Sequence, residues 1–247
     1  MLFRKTETTN NRHLAKTVIL LITGLMPLLA FTSWPPDVML LIYSIFVAAW
    51  FYQHRLFIIV QRWPGPVAFH LLLCFLISGA LTEAIAWTNS YLKADKTPAL
   101  FHPQLGVDLL IGIGFYGGWA VAWWIALRWF RFKLWEVFVI TGLQGIFLEQ
   151  LGAVFMAMVR AWTSNLFLAL LLGAYVFTVH GSIAGLALLP TLRRFDKPEQ
   201  SRSWVRFPLV IALMVGLAFL GCGLVQALAF LFGGLPAKQS IIEHPFW

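Results

Sequence analysis

The chain has 247 residues, of which 60% are hydrophobic and only 11% charged, with a mean hydropathy of +0.80. Soluble domains run near roughly 45–50% apolar and 25% charged, so the composition excludes a soluble Rossmann or barrel enzyme, a nucleic-acid-binding module and a disulfide scaffold. The net charge of +8 is dispersed through short loops, which points to membrane topology rather than to a polyanionic partner.

A basic stretch holding Arg4, Lys5, Arg12 and Lys16 leads into an apolar run. No Ala-x-Ala cleavage site follows, so a first transmembrane helix is expected over 15–32, ended by Trp34, Pro35 and Pro36. Further apolar runs of about 20–27 residues, bounded by charge, Pro or Trp, predict helices over 37–59, 66–88, 107–130, 134–159, 164–189 and 206–232. Gln53, His54 and Arg55 interrupt the second of these, so its remainder to Arg62 is expected near the membrane interface. The predicted fold is all-α: one polytopic integral membrane domain, a bundle of seven transmembrane helices.

Seven crossings divide the loops into two sets. One holds 14 Lys and Arg residues and the other only Lys93, Lys96, Arg160 and Lys238. Basic residues are retained on the cytoplasmic side, so the N-terminus is expected to be cytoplasmic and the C-terminus external. Trp34, Trp63, Trp87, Trp135, Trp162 and Trp204 all fall at predicted helix ends, where an amphipathic ring favours the headgroup region. Cys74 and Cys222 sit inside apolar runs and read as small hydrophobes. No Asn-x-Ser/Thr sequon occurs, which fits the inner membrane of a bacterium. The third, fifth and seventh helices share a small residue four positions before a polar one: Gly79 and Glu83, Gly145 and Glu149, Cys222 and Gln226.

Ionisable groups within hydrocarbon are costly, about 2.5–3.5 kcal/mol at mid-helix, so each needs a reason. Glu149 falls near mid-membrane, on a face lined by Gly142, Gly145 and Gly152 that lets a neighbouring helix approach, with Gln144 and Gln150 beside it. His180 falls at similar depth, between Thr178 and Ser182. A hairpin of the fifth and sixth helices brings Glu149 and His180 within reach as an acid and base, or as a purely structural polar clamp. Glu83 and Asp108 flank the longest external loop, 89–106. They form either a helix cap and a loop ion pair, or a second carboxylate site. Gly112, Tyr116, Trp119 and Trp123 recur on one face of the fourth helix, as core packing or as a wall for a long flat apolar ligand.

No metal or other cofactor is expected. His180 and Glu149 make only two mid-membrane ligands, and the seventh helix lacks the lysine that a retinal Schiff base requires. Phosphate loops, a Ser nucleophile elbow and Cys-x-x-Cys are missing as well. The expected function is to bind or modify an apolar, lipid-like molecule of isoprenoid or polyene type, by proton-mediated chemistry in the catalytic version. Glu149, His180, Glu83 and Asp108 are the candidate catalytic residues, and Tyr116, Trp119, Trp123, Gln150 and Gln226 the candidate substrate-binding ones. Expected partners are membrane lipids or another apolar small molecule, not nucleic acid. The rival readings are a non-catalytic subunit that contacts other membrane helices, and a proton-coupled transporter.

Overall fold

The computed structural model describes residues 34–148, 152–195 and 203–247. The expected first helix over 15–32 lies outside the described residues, as do Glu149 and Gln150. The described residues form eight α-helices and no strand: α1 Leu41–Phe51, α2 Gln53–Gln61, α3 Val67–Leu92, α4 Leu105–Trp129, α5 Leu134–Leu148, α6 Ala153–Ser164, α7 Leu166–Leu188 and α8 Arg206–Leu231. A 3-10 turn, Leu192–Phe195, follows α7. Four of the helices, α3, α4, α7 and α8, are long and apolar enough to cross a membrane. At 23 to 26 residues each is about 35–39 Å long, enough for a hydrocarbon layer of about 30 Å.

The interruption expected in the second run is present, and one run expected to be continuous is broken. The 37–59 run forms α1 and α2, which meet at 79° beside Gln53, His54 and Arg55. Their polar groups oppose continuation through hydrocarbon, and the Arg55 guanidinium instead lies over the Tyr52 ring at 5.7 Å. The 134–159 run likewise divides into α5 and α6. Gly152 stands immediately before α6 with φ +86°, a left-handed backbone that glycine adopts without the usual Cβ penalty. Gly152 therefore marks the break and does not mediate the close helix contact expected of it. A Cβ there would meet the Phe147 carbonyl only at 3.4 Å.

The core is organised around α4. Its Trp119 and Trp123 are fully buried, and it packs between α3 on one side and α8 on the other. Against α8 the two backbones touch. A Cβ on Gly114 would overlap the Gly221 carbonyl, one on Gly221 would overlap the Gly114 carbonyl, and Gly118 stands in the same way against Leu217. Glycines on facing surfaces are what permit such an approach. Only one stripe of α8, Val210, Met214 and Ala218, is buried with it. The rest of the helix presents Leu220, Leu224 and Leu228 outward, as a lipid-facing surface requires.

At the end of the bundle where α3 leads into α4, here the upper end, chain segments beyond the helices form a cap. The Leu105 and Gly106 amides, two of the first N–H groups of α4, donate to the carbonyls of Pro245 and Phe246 at 3.0 Å each. These amides have no partner within their own helix, so the C-terminal segment supplies the acceptors. Gln104 donates to the carbonyls of Gln239 and His244, and the Trp247 ring occupies the space that a side chain at Gly106 would need. Trp87, expected as an interfacial anchor, is instead buried in this cap. Its ring stacks on Tyr91 and Phe246 and its N–H donates to the Pro103 carbonyl at 2.9 Å. Asp37 joins the same end, paired with Lys93 at 2.9 Å and accepting from the Tyr175 hydroxyl.

The lower end is held by a buried ion pair. Arg206, at the start of α8, meets the Glu136 carboxylate of α5 at 2.6 Å, with both side chains less than 10% exposed. The second Glu136 oxygen accepts from the Lys133 amide at 2.6 Å, closing the N-terminus of α5 as the acidic half of a capping box does. Arg206 also donates to the Arg131 carbonyl and lies against the rings of Phe132 and Phe207. One guanidinium thus ties the α4–α5 turn to the start of α8.

Candidate functional site

Helices α3, α4, α5, α7 and α8 leave a cavity of about 590 Å³ between them, bordered at the upper end by residues 97–101. Most of its wall is apolar, including Ile111, Phe115, Val179, Ile183 and Phe219. The polar exceptions are Thr82 and Glu83 from α3, Tyr116 and Trp119 from α4, Gln144 from α5, His180 from α7, and Cys222 and Gln226 from α8. An apolar chamber with a few converging polar groups is the usual form of a small-molecule site.

The antiparallel register of α3 and α4 sets Gly79 and Glu83 opposite Tyr116 and Gly112. A Cβ on Gly79 would overlap the Tyr116 ring, so the ring lies in the space that glycine leaves open. From there its hydroxyl donates to Glu83 Oε1 at 2.5 Å. Gly112 lies beside Glu83, where a Cβ would meet the Glu83 Cγ at an ordinary contact distance of 3.6 Å. Tyr116 lies about 17 Å along α4 from its first residue, and Glu83 about 14 Å along α3 from its last. Both values put the pair well below the upper ends of the helices.

Asp108 stands behind this pair and does not line the cavity. It is fully buried and neighbours Glu83. Its Oδ1 accepts the His102 amide at 2.9 Å, which folds the loop onto the first turn of α4. Its Oδ2 is buried without a hydrogen-bond partner. Asp108 thus ties down the loop before α4 and stands beside Glu83. Glu83 meets Tyr116 where a loop lysine was the alternative partner, and Lys93 pairs with Asp37.

His180 enters from α7 beside Gly145, where a Cβ would overlap the imidazole. Its Nδ1 lies 3.2 Å from the Val176 carbonyl. In the neutral ring that bond places the proton on Nδ1 and the basic lone pair on Nε2. Its expected partner Glu149 lies outside the described residues, as does Gln150. Gln144 does face the cavity, with an Oε1 that is buried and has no partner. Trp119 Nε1 is likewise a buried donor without an acceptor. Each such orphan costs about 1–3 kcal/mol, a cost that a ligand bearing both an acceptor and a donor removes.

The aromatic stripe of α4 therefore divides. Tyr116 and Trp119 form cavity wall, whereas Trp123 lies in the core, edge-on to Phe132 with ring centres 5.3 Å apart. Gln226 and Cys222, the small and polar pair of α8, are both in the wall. Gln144, Phe115 and residues 97–101 were not singled out from the sequence as site residues. Gln144 carried the clearest signal, as a lone amide within an apolar helix. Among the described residues no three His, Cys, Asp or Glu side chains are grouped to hold a metal ion. No protein-family model, curated protein or solved structure matches the chain.

Proposed function

We propose that the protein is a multi-pass protein of the cell membrane that binds, and in its catalytic form modifies, an apolar lipid-like molecule of isoprenoid or polyene type. The observation that carries this reading is the 590 Å³ chamber, in which the Glu83–Tyr116 pair and His180 are set into an otherwise apolar wall. A carboxyl group and an imidazole in one such chamber suit proton transfer to and from a double bond, as in isomerisation or cyclisation. In this reading Glu83 is the candidate proton donor and His180 the candidate base, so that a proton gained at one carbon is balanced by one lost from its neighbour. The orphaned Trp119 N–H and Gln144 carbonyl favour a ligand that carries a hydroxyl or carbonyl on its apolar body.

The four long helices support a multi-pass protein, and we count the bent α1–α2 pair, α5 with α6, and the 15–32 run as the further crossings of a seven-helix topology. The 14 to 4 division of basic residues supports a cytoplasmic N-terminus and lower end, and an external C-terminus. Cysteines introduced at Lys96 and Lys197 test that orientation by labelling from opposite sides with an impermeant reagent.

The decisive experiment is extraction of the purified protein and mass spectrometry of the apolar molecules that it retains. A single isoprenoid-like species near one per chain, lost in a Trp119→Ala variant that stays folded, supports the proposal. Only bulk membrane lipid, unchanged by that substitution, refutes it and leaves the non-catalytic subunit as the better reading.

A further inference from the structure

Two side-chain groups in the chamber wall lack partners, and they are of opposite kinds. The Trp119 Nε1–H is a donor without an acceptor, and Gln144 Oε1 an acceptor without a donor. Both residues are deeply buried, at 0% and 7% exposure, and both line the chamber. They also share a level. Each lies about 15 Å from the lower end of its helix, Trp119 above Trp129 and Gln144 above Leu134, and the short α4–α5 turn sets those two ends side by side. Other polar groups of the wall are committed or placed elsewhere. The Thr82 hydroxyl donates to the Ser78 carbonyl, and Gln226 lies about 30 Å up α8, near the upper rim.

We infer, resting on the chamber reading proposed above, that the ligand is a neutral long-chain alcohol, its hydroxyl bound between Trp119 and Gln144 and its hydrocarbon running up toward residues 97–101. That reading admits a hydroxyl or a carbonyl; the two orphans together select the hydroxyl. A hydroxyl oxygen accepts from the Trp119 N–H while its proton goes to the Gln144 oxygen, so one group satisfies both. A ketone, aldehyde or quinone oxygen only accepts and leaves Gln144 unpaired, and a plain polyene leaves both unpaired. A phosphate ester or an ionised carboxylate fits worse still, because the described lining contains no lysine or arginine and a buried charge without a partner is costly. Direction follows from level. Ile183 of the wall, about 8 Å above the lower end of α7, lies beneath the pair, so little of the chamber remains below. Above, the wall continues through Phe115 and Ile111 to residues 97–101. With the hydroxyl anchored at this level, the Glu83–Tyr116 pair, one helical turn higher, faces the chain close to its head and not at its far end.

The test uses the full chain purified in detergent and three probes that share one skeleton: geranylgeraniol, the aldehyde geranylgeranial, and the hydrocarbon with the oxygen removed. The probes compete in equal amounts, and the retained molecules are counted by mass spectrometry. The alcohol should be held about tenfold more tightly than the aldehyde, the difference that one paired buried acceptor makes, and the hydrocarbon least of the three. Gln144→Leu should bring the alcohol down to the level of the aldehyde. Trp119→Phe should weaken alcohol and aldehyde alike, by about tenfold, and leave the hydrocarbon unchanged, so that the hydrocarbon reports an intact chamber in both variants. Equal retention of alcohol and aldehyde by the parent protein overturns this inference alone. So does a preference for the aldehyde, which would require Gln144 to turn its NH2 group inward, or a preference for the alcohol that survives Gln144→Leu. Retention of none of the three overturns the chamber reading and this inference with it.

Discussion

Tyr116 and Glu83 meet across the α3–α4 interface through a 2.5 Å hydrogen bond that exists only because residue 79 has no side chain. The niche and the bond make separable predictions. Tyr116→Phe keeps the ring in place and removes the donor, leaving Glu83 Oε1 without its phenol partner. A loss of about 1–3 kcal/mol is expected, read as a lower thermal midpoint in detergent. Gly79→Ala evicts the ring itself and should cost more than Tyr116→Phe. Equal midpoints for both variants and the parent would show that the niche is open to lipid.

The contact of α4 with α8 gives a sharper test, because the atoms in the way are backbone and cannot rotate aside. Overpacking a core by added methyl groups costs about 1–3 kcal/mol where side chains adjust. Gly114→Ala, facing the Gly221 carbonyl, should reach at least the top of that range. Gly223→Ala on the same α8, where a Cβ meets nothing within 4 Å, should be neutral or slightly stabilising through better helix propensity. Comparison of the two midpoints separates helix packing from any general effect of the added methyl.

These positions also show what could be read from the sequence. Apolar run lengths located α3, α4, α7 and α8 because the bilayer's thickness is written into them. Depth in the membrane brought Glu83 and His180 into consideration, the ring stripe of the fourth helix Tyr116 and Trp119, and the small-then-polar pattern Gln226, and all five line one cavity. The polar Gln53, His54 and Arg55 announced an interruption where the 79° bend lies, but hydropathy does not report on backbone dihedrals, so the left-handed Gly152 was invisible as a break. Nor does it report on which distant segments meet. Trp87 at a helix end looks like an interfacial anchor until the segment around Phe246 returns to cover it. Glu136 and Arg206 lie 70 residues apart, and each alone looks like an ordinary charge at a helix start.

That ion pair makes the third prediction. With both partners buried, removing one leaves the other desolvated and uncompensated, at a cost of about 3–5 kcal/mol. Arg206→Met should therefore be severely destabilising and should free the α4–α5 turn. Adding Glu136→Met to Arg206→Met removes the orphaned charge, and the double variant should recover much of the loss. The recovery stays incomplete because the Lys133 amide and the Arg131 carbonyl also lose partners. A double variant less stable than the single one would contradict this account.

The last prediction concerns pH and the cap at the upper end. His102 is buried in the loop before α4, with Nε2 3.2 Å from the Pro236 carbonyl and Nδ1 accepting the Gln104 amide at 3.3 Å. These bonds specify a neutral ring that carries its proton on Nε2. Burial pushes its pKa below the ordinary value of about 6.5; the bond to Pro236 opposes that shift and the charge of Lys238 adds to it. A second proton would sit on Nδ1 against the N–H of Gln104, donor against donor. Because the folded pKa lies below the unfolded one, the unfolded chain binds more protons as the pH drops through 6.5. The cap therefore has its full stability above about pH 6.5 and loses it progressively below. Release of the C-terminal segment would strip the Leu105 and Gly106 amides of their acceptors, so the start of α4 should loosen together with it. Limited proteolysis between residues 233 and 247 should accelerate from pH 7.5 to pH 5 in the parent protein. His102→Gln, which keeps a donor for Pro236 and has no titration, should flatten that dependence, and an unchanged acid sensitivity in the Gln variant would assign it to another group.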